Sequence, residues 1–167
     1  MAKVVYAVGD DISTDVIYPG RFMATVLPTE TPQFAFADDA VFNNQLKNRQ
    51  IPPGSVIAAG KNFGCGSSRE QAVSTLKGHE LIIVARSVAR IFMQNAVNLG
   101  LRLIVVPDLE ASLGDEIECE EDRVVNRTSG RNFATERLPS ARQAIVDAGG
   151  LISYTRKRLV ERSASPR

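Results

Sequence analysis

Residues 61–72, Lys-Asn-Phe-Gly-Cys-Gly-Ser-Ser-Arg-Glu-Gln-Ala, are the part of this 167-residue chain best equipped for chemistry. Gly64 and Gly66 let the backbone take conformations closed to other residues and approach a ligand closely. If a helix starts after them, its first N–H groups point into the loop, and their partial positive charge favours an anion. Arg69 adds a planar fork that can grip a carboxylate with two hydrogen bonds. These residue types alone specify a crook for a carboxylate or a phosphate. A purely structural reading competes with it. Ser67 with Glu70, and Ser68 with Gln71, both fit the Ser-x-x-Glu/Gln capping box. Two adjacent serines cannot both cap, so one faces the loop, and spacing does not say which. A Walker phosphate loop is excluded because Gly-x-x-x-x-Gly-Lys-Ser/Thr is absent. The dinucleotide pattern Gly-x-Gly-x-x-Gly fails at Arg69.

Other polar groups are less telling. Gly9 to Asp15 holds three carboxylates in seven positions, and Asp15 has the ordinary role of a turn aspartate bonding its own backbone. Arg86 and Arg90 flank the start of a predicted helix, where their stems can simply cover apolar surface. Cys65 reads as a packing residue, and nothing in its spacing from the single histidine, His79, favours nucleophilic catalysis.

The elements that must position the loop follow from periodicity. Residues 3–8 form a strand, residues 16–34 a long flexible loop without a period, and residues 37–47 a short helix. Ser55 to Ala59 is a buried strand, Gly60 to Ser68 the glycine-bearing loop, and 69–77 a helix. Leu81 to Ala85 is a strand covered on both faces. A helix over 87–98 stops at Gly100, and a strand over 103–106 is closed by Pro107. This order predicts βαβ crossovers and a partly parallel sheet, an α/β architecture with β-rich terminal portions. Further on come a hairpin of 116–119 and 122–126, a strand over 131–135, a helix over 140–148 ended by Gly149-Gly150, and a short last helix over 151–160.

The bulk numbers narrow the function classes. The length suits one domain with a core that needs no staple. No apolar run reaches the roughly 20 residues of a membrane span, and the N-terminus lacks a cleavable signal pattern, so the expected compartment is the cytoplasm. Net charge is +1. Only the stretch 156–167 is basic, with Arg156, Lys157, Arg158, Arg162 and Arg167 opposed by Glu161 alone, and it reads as a solvated, partly frayed end. Near-neutral charge and ten aromatic residues, seven Phe and three Tyr, speak against RNA binding. Cys65 and Cys119 are too few for a disulfide framework, and this chain alone is not expected to hold a metal or a cluster.

Three motifs in order carry a resemblance: Asp11-Ile12-Ser13-Thr14-Asp15-Val16-Ile17, then the Gly64-Cys65-Gly66-Ser67-Ser68-Arg69 loop, then Ser87-Val88-Ala89-Arg90-Ile91-Phe92 with Asn95-Ala96-Val97-Asn98-Leu99-Gly100-Leu101. From about Val5 to Tyr154 the chain resembles the swivel domain of the aconitase superfamily. It is most similar to the short, separately encoded small subunits of 3-isopropylmalate dehydratase and its relatives, and Gln71 and the short length resemble the archaeal-type branch. The resemblance implies a swivel-type β/β/α domain with a partly parallel sheet and flanking helices over residues 1–167. It implies a hydro-lyase that isomerises a 2-hydroxy dicarboxylate by dehydration and rehydration. A four-iron four-sulfur cluster would sit on a large partner subunit. Ser67 would take the role of the base and Arg69 would bind a substrate carboxylate. Ser68 would be the cap or a second donor. Asp15 and Thr14 would belong to the polar network of the site, with Gly64, Gly66 and Arg90 in support.

In the family the loop after Thr-Asp reads the substrate's side group, which here means Phe22, Met23, Ala24 and Thr25. Ala24 stands where relatives that grip an extra carboxylate carry arginine. A small apolar residue suits an aliphatic substituent, since an unpaired carboxylate is costly to desolvate. An isopropylmalate-like substrate, as in leucine biosynthesis, is therefore expected over a tricarboxylate. Dimethylmalate- and methylmalate-type substrates are compatible as well, and a homoaconitate-type hydro-lyase is kept as a further alternative. The competing class is a non-catalytic anion-binding domain that uses the same loop without a large partner.

Overall fold

The computed structural model describes residues 1–164. In chain order the elements are β1 (Ala2–Val8), α1 (Thr14–Ile17), α2 (Ala40–Lys47), β2 (Val56–Ala59), α3 (Glu70–Gly78), β3 (Ile82–Ala85) and α4 (Arg90–Leu99). They continue as β4 (Leu103–Val105), β5 (Glu116–Cys119), β6 (Arg123–Asn126), β7 (Arg131–Ala134), α5 (Ser140–Asp147) and α6 (Leu151–Ala164).

One seven-stranded sheet runs β4-β3-β2-β1-β5-β6-β7. β1 is its seam, paired parallel with β2 and antiparallel with β5. β2, β3 and β4 continue in parallel, linked by the α3 and α4 crossovers, while β5, β6 and β7 form an antiparallel meander. The sheet curls until its margins meet, for the Glu136 N–H donates to Val105 O at 2.8 Å.

The apolar runs of β2 and β3 are explained by burial on both faces. Ile57, Ala59, Ile83 and Ala85 enter the cluster beneath the helices, with Phe63, Leu76 and Phe92. Val56, Ala58, Ile82 and Val84 enter the cluster on the other face, with Ile117, Val124 and Phe133. Each buried Ile, Leu or Phe contributes roughly 1.5–3 kcal/mol. The two glycine stops expected at helix ends touch each other. Gly100 closes α4 with φ +71°, and a Cβ there would lie 2.4 Å from the carbonyl carbon of Gly149.

Two expectations are corrected. Residues 16–34 are not a periodless loop; they contain the end of α1 and 3-10 turns at Gly20–Phe22 and Thr31–Phe34. Turns this short carry no legible period, and side chains hold them. Phe22 stacks on Phe34 at 4.1 Å. Thr75 donates its hydroxyl to Thr31 O at 2.8 Å, and His79 Nε2 lies 2.8 Å from Pro32 O. The last helix is also longer than the expected 151–160, and residues 156–164 are helical rather than a frayed end. Arg167 lies outside the described residues. Among the described residues no helix is long and apolar enough to cross a membrane.

Burial lowers the pKa of His79, against a smaller opposing effect of the Pro32 carbonyl. The folded state therefore favours the neutral ring. This contribution to stability is complete above the unfolded value of about 6.5 and is lost as pH falls from there to the folded value. The stability advantage of the wild type over His79→Gln, followed by urea unfolding across pH, should be largest above pH ~6.5 and shrink below it. A difference that does not vary with pH contradicts this.

Candidate active site

Parallel neighbours send their chains out of the sheet at the same edge. The segment after β1 and the segment after β2 consequently leave the carboxyl ends side by side. They are stitched along their length. Asp11 N donates to Lys61 O at 2.8 Å, Gly64 N to Ile12 O at 2.7 Å, and Thr14 N to Cys65 O at 2.8 Å. Side chains add to this: Asp10 Oδ1 accepts from Lys61 N at 2.7 Å, and Asp11 Oδ1 from Asn62 Nδ2 at 2.7 Å. The buried Thr14 donates its hydroxyl to Ser67 O at 2.9 Å. The segment after β3 joins as the third strut, with Ala89 N donating to Phe63 O at 2.9 Å and Asn62 N to Ser87 Oγ at 2.8 Å. Gly64, at φ +76°, is pressed so closely on Phe92 that a Cβ would lie 2.3 Å from the ring.

α3 starts at Glu70, and its N-cap is Arg69, without a side-chain cap bond. Neither capping box forms. Ser67 and Ser68 are both exposed on the loop, which removes the capping alternative and leaves Ser68 free to be a hydrogen-bond donor. Ala72 N donates to Arg69 O at 3.2 Å, while the N–H groups of Glu70 and Gln71, which open α3, have no side-chain acceptor among the described residues and remain available to an anion.

Arg69 is largely buried. Its Nη1 pairs with the carboxylate of the more exposed Asp15 and also donates to Tyr18 O at 3.3 Å. Gly20 leaves room for this pair, since a Cβ there would stand 3.3 Å from Arg69 Nη2 and 3.4 Å from Asp15 Oδ1.

Ser67, Ser68 and Arg69 line an open cavity of about 380 Å³. Of the expected specificity residues only Met23 joins them there. Phe22 is occupied in its ring stack. Thr25 gives its carbonyl to the Tyr18 hydroxyl at 3.3 Å, and the exposed Ala24 does not line the cavity. The rest of the wall comprises Glu70 and Gln71, named from sequence only as capping partners, and Val26 and Pro28 from the loop, Ser74 from α3 and Leu99 from α4, which were not singled out. The i, i+3 spacing of Gln71 and Ser74 on one face of α3 was a usable signal for that wall. Arg90 is exposed in the first turn of α4 and does not reach the cavity. Cys65 Sγ rests 3.4 Å from Asp11 O, while His79 is engaged with Pro32 at the opposite end of α3. Among the described residues no group of three or more His, Cys, Asp or Glu could hold a metal ion.

A curled mixed sheet with an anion-ready Ser-Ser-Arg crook at the carboxyl ends of its parallel strands defines the class, a swivel-type α/β domain. The family model of the aconitase C-terminal domain matches residues 11–108. The 3-isopropylmalate dehydratase small subunit of Thermodesulfovibrio yellowstonii is 40% identical over 161 residues, 93% of each chain. The 2,3-dimethylmalate dehydratase small subunit of Eubacterium barkeri is 38% identical, over 90% of this chain and 93% of that one. A crystal structure of 3-isopropylmalate dehydratase from Methanocaldococcus jannaschii superposes with TM-score 0.86 at 36% identity, covering 96% of both chains. This chain belongs to the 3-isopropylmalate dehydratase small-subunit family, within the aconitase superfamily.

Because neither serine caps α3, Ser67→Ala and Ser68→Ala should each change stability by less than ~0.5 kcal/mol in urea unfolding. A loss near ~1 kcal/mol is what a true N-cap would cost, and it would contradict this geometry.

Proposed function

We propose that this chain is the small subunit of a cytoplasmic hydro-lyase that isomerises a 2-hydroxy dicarboxylate bearing a short alkyl group, 3-isopropylmalate in leucine biosynthesis being the leading candidate. The observation that carries the proposal is that Ser67, Ser68 and Arg69 share one open cavity with the apolar side chains of Met23, Val26, Pro28 and Leu99, Glu70 being the one carboxylate on its lining. Hydrogen-bonding and cationic groups for a carboxylate and apolar side chains for an alkyl group thus line the same cavity, as an alkyl-substituted diacid requires. Relatives named for isopropylmalate and for dimethylmalate support the class of substrate and leave a range of alkyl groups open.

In this reading Ser67 Oγ takes the carbon-bound proton during dehydration and, on rehydration, gives a proton to the carbon that lost the hydroxyl while water adds to its neighbour. A neutral hydroxyl is a poor base. The uncapped N–H groups of α3 and the Arg69 guanidinium stabilise the alkoxide form, as an oxyanion hole does. Ser68 donates a hydrogen bond to the substrate. Arg69 holds a carboxylate, and Asp15 keeps the guanidinium oriented until the substrate arrives. The described residues supply no ligand set for an iron-sulfur cluster, because Cys65 is beside the crook and Cys119 is on β5. That group, which supplies Lewis acidity for the leaving hydroxyl, is assigned to the large partner subunit.

The test is co-expression with a cluster-bearing large subunit and anaerobic assay on 3-isopropylmalate. Ser67→Ala should lower kcat by roughly 10²–10⁴ with the complex intact. Arg69→Lys should raise KM about tenfold or more, because the bidentate fork is lost. Full turnover by the Ser67→Ala complex removes the proposed base. A chain that binds dicarboxylates yet engages no large subunit supports the anion-binding alternative.

The apolar wall makes a separate prediction. Val26→Arg should shift kcat/KM toward substrates with an additional carboxylate by about tenfold or more, whereas Ala24→Arg should shift it less. The reverse ranking would return specificity to Ala24.

A further inference from the structure

Tyr18 is fully buried and does not line the cavity, yet it is bonded to every part of the site around it. Its N–H donates to Thr14 O at 2.8 Å, and the Thr14 hydroxyl donates to Ser67 O. Its carbonyl accepts from Arg69 Nη1 at 3.3 Å. Its hydroxyl reaches Phe22 O at 3.1 Å and Thr25 O at 3.3 Å, within the segment that sends Met23 and Val26 to the cavity. Edge-on contacts with Phe22 and Phe34 hold the ring, at 6.5 Å and 6.1 Å between centroids.

The backbone bonds of that segment are local. Phe22 N donates to Pro19 O at 3.0 Å, Met23 N to Gly20 O at 3.1 Å and Thr25 N to Phe22 O at 2.9 Å. Such bonds fix the shape of a turn but not its place over the cavity. Its place is set by the Phe22–Phe34 stack, by the exposed Arg21–Asp38 ion pair and by the Tyr18 hydroxyl. An exposed ion pair contributes little. Of these three contacts, only the hydroxyl reaches Thr25, which stands between Met23 and Val26.

We propose, resting on the hydro-lyase function above, that Tyr18 is a positioning residue that sets which alkyl group the cavity accepts. Its hydroxyl holds Met23 and Val26 at a fixed separation from the Arg69 fork, which its own carbonyl steadies. A substrate that spans the fork and the apolar side chains is measured by that separation. Loosening the hydroxyl blunts the measurement without touching the reacting atoms, because Ser67 and Arg69 keep their own bonds to Thr14, Asp15 and the Tyr18 backbone.

Tyr18→Phe tests this, since it deletes the hydroxyl and keeps the ring and the carbonyl. In the complex with the large subunit, the preference for 3-isopropylmalate over 3-methylmalate, as a ratio of kcat/KM, should fall about fivefold or more. The kcat on 3-isopropylmalate should stay within about threefold of the wild type. A ratio between two substrates does not depend on how much of the complex is folded, so a merely structural role leaves it unmoved. Tyr6→Phe removes a hydroxyl bonded to Asp39, away from the cavity, and should not change the ratio. In the full chain alone, followed by NMR hydrogen exchange, the Met23 and Thr25 amides of Tyr18→Phe should exchange about tenfold or more faster, with the Thr14 and Gly64 amides unchanged. Turnover with an unaltered ratio overturns the proposal, as does an equal fall in Tyr6→Phe or unaltered exchange at Met23 and Thr25. A wild-type complex that turns over neither substrate sinks the hydro-lyase function and this role together, whereas the other contrary results sink this role alone.

Discussion

The parallel pairing of β1 with β2 is the constraint on which the site depends. It puts the loop with Thr14 and Asp15 and the loop with Ser67 and Arg69 at one edge of the sheet, although 51 to 54 residues separate bonded partners such as Lys61 with Asp10 and Arg69 with Asp15. Backbone hydrogen bonds then lock the two loops in register. Each such bond contributes only about 0.5–1.5 kcal/mol net, but a row of them sets position more strictly than any one side chain could. Thr14, buried and bonded to Ser67 O, carries that register into the serine crook.

Rigid supports surround this seam. Phe92 fills the space against Gly64, so α4 fixes the loop from below. Lys77 near the far end of α3 donates to Leu99 O and to Gly149 O, tying three helix ends together while burial lowers its pKa. Cations at helix C-termini are favoured by the helix dipole. Tyr6, its pKa raised to about 12 by burial and by Asp39, stacks on Phe42 at 4.0 Å and anchors α2 to β1. The serines are then exposed residues on a loop whose every flank is held, which suits groups that must meet a substrate in a fixed position.

Much of this was legible because it rests on local pattern. The apolar runs of β2 and β3, the glycine stop at Gly100 and the strand–helix alternation between residues 55 and 106 all carry periods that burial explains. The Ser-Ser-Arg crook was legible from residue types. What was not legible depends on contacts distant in sequence. The 3-10 turns in residues 20–34 exist because Thr31, Pro32, His79 and the Phe22–Phe34 stack hold them. The cap ambiguity was settled by where α3 begins: at Glu70, one residue too late for Ser68 and two too late for Ser67 to take the cap position. Ala24 matched a motif position, yet Val26 and Pro28 turn toward the cavity, because a turn's direction cannot be read from composition.

The central claim is that the Ser67–Arg69 crook completes a catalytic site together with a second polypeptide. The structure of the complex with a cluster-bearing large subunit and a bound 2-hydroxy dicarboxylate analogue tests it most directly. Ser67 Oγ is expected within about 3–3.5 Å of the carbon that carries the proton, with Arg69 on a carboxylate. A complex in which the cavity beside Ser67 opens to bulk solvent, away from the partner and from the ligand, contradicts it.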